Sequence, residues 1–471
     1  MGSAALVGAG LLVGPAVYAG VWAWLSPLSP RVKLVLGVRY WVLGFRSRKP
    51  DSFNPRYLTP NTQHPTPNTQ VQPVEILGLE ESYLLFSVLV AARDEAAALP
   101  HLLRALAAQT LPPAGFEVLI ADDHSTDDTA RVVREAAPTL PFALRLIELP
   151  PGLTGKKAAL AAAEAQARAP WAACTDADCR PAPGWLLALS EWADAPDVLR
   201  WECADVQMQG GGSIGERIDV RISRETIDAA ETASPSAHPH ISTLAHSKIH
   251  FLSGPVRLTP GGAWFDGLLG LEFAGLGAVG AGCIGRGHPT MCNGANLAFR
   301  RASFRAVGGY AAAAGAGVAS GDDEFLLHEM QRRYPAGVRF VADARALVDT
   351  PGPATLGRLL AQRVRWASKF AHYRPAAPRL LALLVLGTNL SLALAAGLAL
   401  GWPALRPWAA AAAVLKLGAD AWMLWPMLSL LRRRRWLRWL LPLQVLYAPY
   451  ALTVALRARA GRYQWKGRLV R

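Results

Sequence analysis

The chain has 471 residues, of which 52% are hydrophobic, and its 49 basic and 35 acidic side chains give a formal net charge of +14. This length exceeds one typical domain and the apolar content exceeds that of an ordinary soluble protein, so a membrane component is expected. The five cysteines form no CxxC pair and no zinc-ligand spacing, which argues against a disulfide framework or a structural zinc site and fits a reducing compartment. Much of the positive charge flanks apolar segments, which favours anionic lipid headgroups and the positive-inside rule over nucleic acid.

The N-terminal region predicts a membrane anchor at residues 1–30. Residues 4–25 form an uncharged run that is long enough to cross a bilayer, and basic residues follow it from Arg31 to Lys49, so we expect the N-terminus outside. A cleaved signal peptide is the alternative, but its basic flank would precede the apolar run. Residues 31–82 read as a basic juxtamembrane segment and a disordered linker, because TPNTQ repeats within 59–70 without any apolar period.

Residues 83–375 change to short β-type runs that alternate with helices rich in Ala, Leu and Arg, a pattern typical of an α/β domain with a mostly parallel sheet. We predict strands at 86–92, 116–121, 144–149 and 171–178, with amphipathic helices at 99–109 and 127–137. In such a doubly wound fold, ligands bind beyond the carboxyl ends of the strands. Asp122 and Asp123 follow the second strand directly, so we expect both to face a ligand.

A second acidic unit, Asp176-Ala177-Asp178, also follows a predicted strand. The i, i+2 spacing would direct both carboxylates to one side of an extended segment. Such oxygens suit a hard divalent cation, Mg²⁺ or Mn²⁺, with a diphosphate as a further ligand. A DxD pattern alone is common in surface turns, but its position after a strand strengthens the metal interpretation.

Two later helices carry further candidates. VASGDDEFLLHEM (318–330) begins an amphipathic helix with Asp322 and Asp323 in its first turn, where N-terminal capping is the alternative to a catalytic role. LLAQRVRWASKF (359–370) predicts a helix whose polar and aromatic side chains suit a phosphate or a sugar; the alternative is a basic helix beside a membrane segment. Its candidates are Gln362, Arg363, Arg365 and Trp366.

Two segments fit a compact domain poorly. Residues 205–250 predict a low-complexity insertion; a metal cluster is the alternative, but nothing in the spacing organises the histidines. These are His238, His240, His246 and His250. Residues 262–284 are long enough to span a membrane, but Asp266, Glu272 and seven glycines make crossing costly and helix formation poor, so we expect interfacial helices beside the active site.

Residues 376–457 predict the C-terminal membrane segments. The apolar runs 380–402 and 407–431 read as a helical hairpin, and the basic run 432–435 returns the chain to the cytoplasm. A last apolar run, 436–456, contains two prolines and precedes a basic tail at 458–471. A full crossing would place that tail outside, against the charge rule, so a crossing and an interfacial or re-entrant helix both stay open.

Seven motifs, in order, resemble glycosyltransferase family 2. They are VAARDE (90–95), ADDHSTDDT (121–129), GKKAAL (155–160), TDAD (175–178), CNGANLAFRR (292–301), SGDD (320–323) and QRVRW (362–366). Each motif alone is weak evidence, and the order of all seven makes the resemblance specific. The chain departs from the family pattern at Arg93-Asp94, usually Tyr-Asn, and at Asp322, commonly Glu, and the 205–250 insertion is not typical of the family.

The resemblance implies a GT-A fold, Rossmann-like with a mostly parallel sheet, and an inverting transfer from a nucleotide-diphosphate sugar, for which we expect a UDP-sugar. It implies a base at Asp323, with Asp322 as the alternate, and Mg²⁺ or Mn²⁺ held by Asp178 with Asp176. The implied nucleotide-sugar residues are Glu95, Asp122, Asp123, Lys156 and Asp176. The implied diphosphate and acceptor residues are Gln362, Arg363, Arg365, Trp366, Asn293 and Gly294.

The membrane segments suggest a lipid acceptor, because an interfacial surface beside the site would admit a lipid hydroxyl from the cytoplasmic leaflet. The tail GRYQWKGR (461–468) is also similar to that of bacterial ceramide-type lipid glucosyltransferases. We therefore predict a multi-pass enzyme of the bacterial inner membrane with a cytoplasmic catalytic domain and no nucleic-acid partner. A processive polysaccharide synthase is the first alternative, although three or four segments are few for a channel. A non-catalytic nucleotide-sugar-binding scaffold is the second, and the unbroken acidic motifs argue against it.

Overall fold

The computed structural model describes residues 2–25, 84–193, 249–312, 321–368, 375–459, 463–465 and 468–470. The predicted linker at 59–70 and the basic flank at 31–49 lie outside these residues. So does the 205–250 segment, apart from its last two positions, and with it His238, His240 and His246. His250 is described, and its ring stacks on Tyr334 with 3.8 Å between centroids while Nδ1 lies 2.6 Å from the Ser303 hydroxyl. Its contacts are therefore those of a packed side chain.

Twelve strands are described. They are β1 (Phe86–Ala92), β2 (Phe116–Asp122), β3 (Ala143–Glu148), β4 (Trp171–Cys174), β5 (Arg180–Pro181), β6 (Phe251–Ser253), β7 (Val256–Thr259), β8 (Leu297–Arg300), β9 (Val338–Phe340), β10 (Val348–Pro351), β11 (Tyr463–Trp465) and β12 (Arg468–Val470). Seven form one sheet in the order β3-β2-β1-β4-β8-β6-β9, in which β8 alone runs antiparallel to its neighbours. A smaller sheet has the order β5-β10-β7. The predicted α/β fold with a mostly parallel sheet is confirmed.

Thirteen α-helices are described. They are α1 (Gly2–Leu25), α2 (Leu99–Ala107), α3 (Thr129–Ala136), α4 (Lys156–Gln166), α5 (Trp185–Ser190), α6 (Asp266–Gly285), α7 (Arg301–Ala306), α8 (Gly309–Ala312), α9 (Asp322–Arg333), α10 (Leu356–Ala367), α11 (Ala377–Gly401), α12 (Arg406–Leu430) and α13 (Leu440–Arg459). In α2 the buried residues recur at helical spacing, so its apolar face packs on the sheet: Leu99, Leu102, Leu103 and Leu106.

The strand order indicates which edge of the main sheet is expected to bind ligands. Strands β3, β2, β1 and β4 are parallel, and β1 and β2 are almost entirely buried, as expected for strands covered on both faces. The chain runs from β1 outward to β2 and β3 and then returns to β4 on the other side of β1. A crevice at the carboxyl ends of β1 and β4 is where such a sheet binds ligands.

Strand β4 ends at Cys174, earlier than the predicted end at residue 178. Asp176 and Asp178 therefore lie in a turn, in which the Cys179 amide donates to the Asp176 carbonyl over 3.0 Å. The expectation that an extended segment would direct both carboxylates to one side was wrong in its geometry. The turn nevertheless brings the two side chains together.

Residues 266–285 form one continuous helix, α6, and not the separate interfacial helices expected from the glycine content. Its glycines allow close packing: a Cβ at Gly270 would lie 2.7 Å from the Trp436 ring, and one at Gly280 would lie 2.9 Å from the Met291 carbonyl oxygen. Tertiary packing therefore offsets the poor helix propensity of glycine. The helix contacts both the α/β domain and the membrane-type helices.

Three of the described helical segments are long and apolar enough to cross a membrane: Asp266–Gly285, Ala377–Gly401 and Arg434–Arg459. In the N-terminal helix, Val7–Ala23 is a shorter apolar stretch, and α12 is interrupted by a buried Lys416 and Asp420. Helices α1 and α12 pack along each other, and α11 contacts α1, α12 and α13. The described membrane-type helices therefore form one bundle beside the α/β domain.

Candidate active site

The loops that follow β1 and β2 hold each other through side-chain to backbone hydrogen bonds. The Thr126 amide donates to Asp94 Oδ1 over 2.7 Å, and the Asp94 amide donates to Ser125 Oγ over 2.9 Å. The bond from the Thr126 amide lowers the pKa of the Asp94 carboxyl, which stays ionised. The Glu95 amide donates to Thr129 Oγ1 over 2.8 Å, which fixes the backbone of Glu95 at the carboxyl end of β1.

Asp122 and Asp123 have different surroundings. Asp122 is buried and accepts hydrogen bonds from the amide and the hydroxyl of Ser125. Asp123 is 2% exposed; its Oδ2 accepts from the Gly155 amide over 3.0 Å and lies 3.6 Å from Arg93 Nη1. Within the described residues its Oδ1 is buried without a hydrogen-bond partner. Because a buried acceptor without a donor is costly, this oxygen suits an N–H or O–H group of a ligand.

Lys156 connects two acidic residues that are far apart in sequence. It opens α4, next to the glycine whose amide binds Asp123, and its Nζ lies 2.6 Å from Asp176 Oδ1 and 3.6 Å from Asp322 Oδ2. Burial disfavours the charged ammonium, but Asp176 and Asp322 outweigh it and hold the pKa of Lys156 well above its usual value. A fixed positive charge therefore lies at the centre of the acidic motifs.

Asp176, Asp178 and Cys179 form a group that could hold a metal ion, with one ligand atom from each lying within 4.8 Å of the others. Asp178 as a whole residue is exposed, but the protein surrounds much of its carboxyl group. This desolvation and the neighbouring negative charges of Asp176 and Glu95 raise the pKa of Asp178 to about 6. A cation would relieve this repulsion. Two carboxylates on one turn fit a hard divalent ion with open positions for water or phosphate.

Asp322 and Asp323 differ in their partners, although they share the first turn of α9. Asp322 is buried and faces Lys156. Asp323 is partly exposed; its Oδ2 accepts from the Gly294 amide over 2.8 Å, and its Oδ1 accepts from the Glu324 amide over 2.9 Å. Beside Gly294, the Asn293 side chain accepts from the Ala295 amide over 3.0 Å. The backbone of the CNGAN segment thus orients the Asp323 carboxylate.

Helix α10 contributes an arginine whose charge is already paired. Arg363 is buried and forms an ion pair with Glu272 of α6, and its Nη1 donates to Gln362 Oε1 over 2.7 Å. The Arg363 guanidinium also lies 4.3 Å from the centre of the Trp366 ring, which in turn lies 6.4 Å from the Phe273 ring. The structure therefore pairs Arg363 with α6, and both Arg363 and Arg365 line the cavity described next.

One cavity of about 760 Å³ joins most of these side chains. It is lined by ten of the residues identified from sequence: Lys156, Asp176, Asn293, Gly294, Asp322, Asp323, Gln362, Arg363, Arg365 and Trp366. The remaining four, Glu95, Asp122, Asp123 and Asp178, surround the carboxyl ends of β1, β2 and β4 next to Lys156 and Asp176. The same cavity is lined by apolar residues of α11 and α13, among them Leu381, Val385, Ala451 and Val454.

Sequence reasoning missed three residues at this site: Cys179, Glu272 and Tyr450. Cys179 belongs to the possible metal group, and Tyr450 lines the cavity from an apolar segment that was read as either a crossing or an interfacial helix and was given no role in the site. Glu272 was treated as an obstacle to membrane crossing. An acid in the interior of a glycine-rich apolar run was the signal that could have identified Glu272, because such an acid requires a partner.

The family model described as "Glycosyl transferase family 2" matches residues 87–213. Solved structures to which the chain is similar include mannosyltransferase PcManGT from Pyrobaculum calidifontis in complex with GDP-Man and Mn²⁺, at 18% identity and a TM-score of 0.39, covering 80% of this chain and 86% of that chain. S. aureus TarS 1-349 in complex with UDP has 14% identity and a TM-score of 0.35, covering 82% and 96%. Glucosyl-3-phosphoglycerate synthase from Mycobacterium tuberculosis has 15% identity and a TM-score of 0.33, covering 61% and 79%. A search of curated proteins gives no match.

Proposed function

We propose that this protein, whose residues 87–213 match the family 2 glycosyltransferase model and whose main sheet is mostly parallel, transfers a sugar from a nucleotide-sugar donor, with inversion, to a hydroxyl of a membrane lipid. The observation that carries this proposal is the continuity of one cavity from the acidic motifs to the apolar side chains of α11 and α13. A lipid could keep its chains among those side chains while its hydroxyl meets the donor.

The nucleoside of the donor would bind at the carboxyl ends of β1 and β2. Among the described residues Asp123 Oδ1 is a buried acceptor without a partner, and Asp122 and Glu95 add carboxylates on the same edge. Base N–H and ribose O–H groups are the complementary donors. We expect a UDP-sugar as the donor, bound from the cytoplasmic side.

The diphosphate would lie between a cation and the basic side chains. Asp178 and Asp176 fit Mg²⁺ or Mn²⁺, and that ion, when bound, would neutralise charge that grows on the departing diphosphate. Lys156 is positioned beside Asp176 and would add its ammonium to the same end of the donor, with Arg365 on the cavity wall. Fixed charges aimed at the leaving group are commonly the largest catalytic contribution.

Asp323 would act as the general base. As the lipid oxygen bonds to the anomeric carbon, its proton passes to the Asp323 carboxylate, and the bond from that carbon to the diphosphate oxygen breaks with the electron pair on the diphosphate. The Gly294 and Glu324 amides hold the Asp323 carboxylate, while Asp322 is occupied by Lys156. This difference supports Asp323 rather than Asp322 as the base. Four other residues that line the cavity would lie on the acceptor side: Gln362, Trp366, Asn293 and Gly294.

The experiment is a product analysis. Purified protein in bilayer nanodiscs is incubated with radiolabelled nucleotide sugars, with Mn²⁺ or Mg²⁺ and with a lipid panel, and extracts are identified by mass spectrometry. We expect label in discrete lipids that partition into organic solvent and depend on the added cation. Label in a long water-soluble chain would identify a polymer synthase instead, and donor binding without any product would identify a non-catalytic scaffold.

A further inference from the structure

Three side chains from three different helices form a hydrogen-bonded cluster in the wall of the cavity: Glu272 of α6, Arg363 of α10 and Tyr450 of α13. Arg363 pairs with Glu272 through two nitrogens, and its Nε lies 3.1 Å from both Glu272 Oε1 and the Tyr450 hydroxyl. The Tyr450 hydroxyl donates to Glu272 Oε1 over 3.3 Å. We call this group the Glu272–Arg363–Tyr450 cluster.

The cluster lies among apolar neighbours. Apart from Tyr447 and Arg459, the other residues that α6 and α13 contribute to the cavity are apolar or small, including Phe273, Leu276, Ala451 and Val454. Apolar side chains of similar volume would serve the packing at least as well, because a buried ion pair recovers little more than its desolvation cost. An ionisable group at a membrane-type helix is by default a sign of function.

The cluster offers hydrogen bonds without net charge. The Glu272 carboxylate neutralises the Arg363 guanidinium, while three of the five N–H donors of Arg363 take part in the bonds described to Glu272, Tyr450 and Gln362. Around the whole cavity, five acidic and four basic side chains face inward. A second anionic group beside the cluster would meet the Glu272 carboxylate, and the Arg363 guanidinium there is already paired with that carboxylate. The other arginines that line the cavity, Arg365 and Arg459, are not part of the cluster.

We propose that the Glu272–Arg363–Tyr450 cluster binds the polar head of the acceptor and selects lipids whose hydroxyl-bearing end is uncharged. The proposal rests on the lipid acceptor of the proposed function and adds the residues that discriminate among lipids. The remaining N–H donors of Arg363 and the Tyr450 hydroxyl bond to hydroxyl, ester or amide groups of a neutral head. A phosphate next to the acceptor hydroxyl is repelled by Glu272.

The test compares acceptors that differ in charge but share the same acyl chains. Diacylglycerol and ceramide represent uncharged lipid alcohols, and phosphatidylglycerol represents an anionic lipid that also carries free hydroxyls. For the wild type we expect kcat/KM for the better neutral lipid to exceed that for phosphatidylglycerol by about tenfold or more, as expected when one charge is left unmatched in a buried site. Equal use of the two classes would overturn the proposal.

Two variants test the residues themselves. Glu272→Gln leaves the Arg363 charge uncompensated, so the preference for neutral over anionic acceptor should fall by about tenfold and use of phosphatidylglycerol should rise in absolute terms. Tyr450→Phe removes one hydroxyl and should raise KM for the neutral lipid several-fold with little change in kcat. A gain of anionic acceptor cannot result from damage to the fold, so Glu272→Gln separates selection from structural support.

The matched control is Thr453→Val on the same helix. Thr453 also loses a hydroxyl, but that hydroxyl bonds within the helix to the Pro449 carbonyl and lies outside the cavity. Its ratio of neutral to anionic transfer should equal that of the wild type. If lipids are glycosylated and Glu272→Gln keeps the wild-type ratio, the inference is wrong and the proposed function stands. If no lipid of either class is glycosylated while a soluble acceptor is, both are wrong.

Discussion

Lys156 is the residue on which the acidic motifs converge, since its ammonium contacts Asp176 and Asp322. Lys156→Met should raise the donor Kd by about tenfold or more, because truncating one partner of a buried charge pair costs on the order of 2 kcal/mol or more. Lys157→Met is the control, since Lys157 lies over the Phe325 ring and does not line the cavity. Donor titration by calorimetry distinguishes the two, and equal effects would contradict the central position of Lys156.

Asp323 is the expected base, and its replacement should separate binding from chemistry. Asp323→Asn keeps the shape of the side chain but cannot accept the proton, so kcat should fall by about 100-fold or more, while donor affinity changes by about twofold at most. Glu329→Gln, in the same helix but paired with Arg332, is the control and should keep most activity. Turnover of Asp323→Asn near the wild-type rate would remove Asp323 from this role.

The aspartates of the motifs could be identified from sequence because each one follows a strand or begins a helix, and the chain itself marks those positions. Asp122, Asp123, Asp176, Asp322 and Asp323 all occupy such places. Their mutual arrangement could not be read, since it depends on Lys156 and on a turn after β4 that replaces the predicted extended segment. The ion pair between Arg363 and Glu272 could not be predicted from sequence either, because the two residues are 91 positions apart.

Helix α6 is the element that depends most on small residues. Gly280→Ala should lower the free energy of unfolding by about 1–3 kcal/mol, because the added Cβ would lie 2.9 Å from the Met291 carbonyl oxygen and the backbone must shift. Gly275→Ala in the same helix meets only Leu424 at 3.8 Å, and should be neutral or stabilising by up to about 1 kcal/mol through helix propensity. Thermal unfolding in nanodiscs measures both, and a Gly280→Ala protein as stable as the wild type would contradict the close packing.

Helices α1, α11, α12 and α13 share a polar network. Tyr18 donates to Asp420 over 2.6 Å, and Lys416 bonds to Asp420 over 2.5 Å and to Gln444 over 2.8 Å. Gln444 in turn donates to Asn389 over 2.5 Å. The network explains why the bundle tolerates a lysine and an aspartate in α12: each charge has a partner, as buried ions require.

Asp420→Leu should therefore destabilise the bundle by about 3 kcal/mol, because it leaves the Lys416 ammonium buried without its counter-ion. Tyr18→Phe removes only one hydrogen bond and should cost about 1 kcal/mol. The double substitution Lys416→Met with Asp420→Leu should recover most of the loss. Melting temperatures of the purified proteins rank the three variants, and a double variant that is less stable than Asp420→Leu would refute the pairing.

The sequence predicted the positions of the membrane-type helices well and their packing poorly. The apolar runs of α11 and α12 are visible because their length matches a bilayer. The glycines of α6 indicated a poor helix, because propensity is local and the rings of Trp436 and Trp439 that pack against α6 come from far along the chain.

For the whole molecule, the main result is that the α/β domain and the membrane-type helices share one cavity. The fold and the enzyme class could be predicted from the order of seven motifs, and both are confirmed. The shared cavity could not be predicted, since it arises where α6, α10, α11 and α13 meet. The shared cavity supports two proposals that are more specific than the enzyme class: that the acceptor is a lipid, and that the head of this lipid is uncharged.

The most direct test is a structure of the protein in lipid nanodiscs with Mn²⁺ and a non-transferable nucleotide-sugar analogue. We predict Mn²⁺ beside Asp178, the diphosphate near Lys156 and Arg365, and lipid density between α11 and α13 that ends close to Asp323. An analogue bound away from these carboxylates, or a cavity closed off from the bilayer by the bundle, would contradict the account.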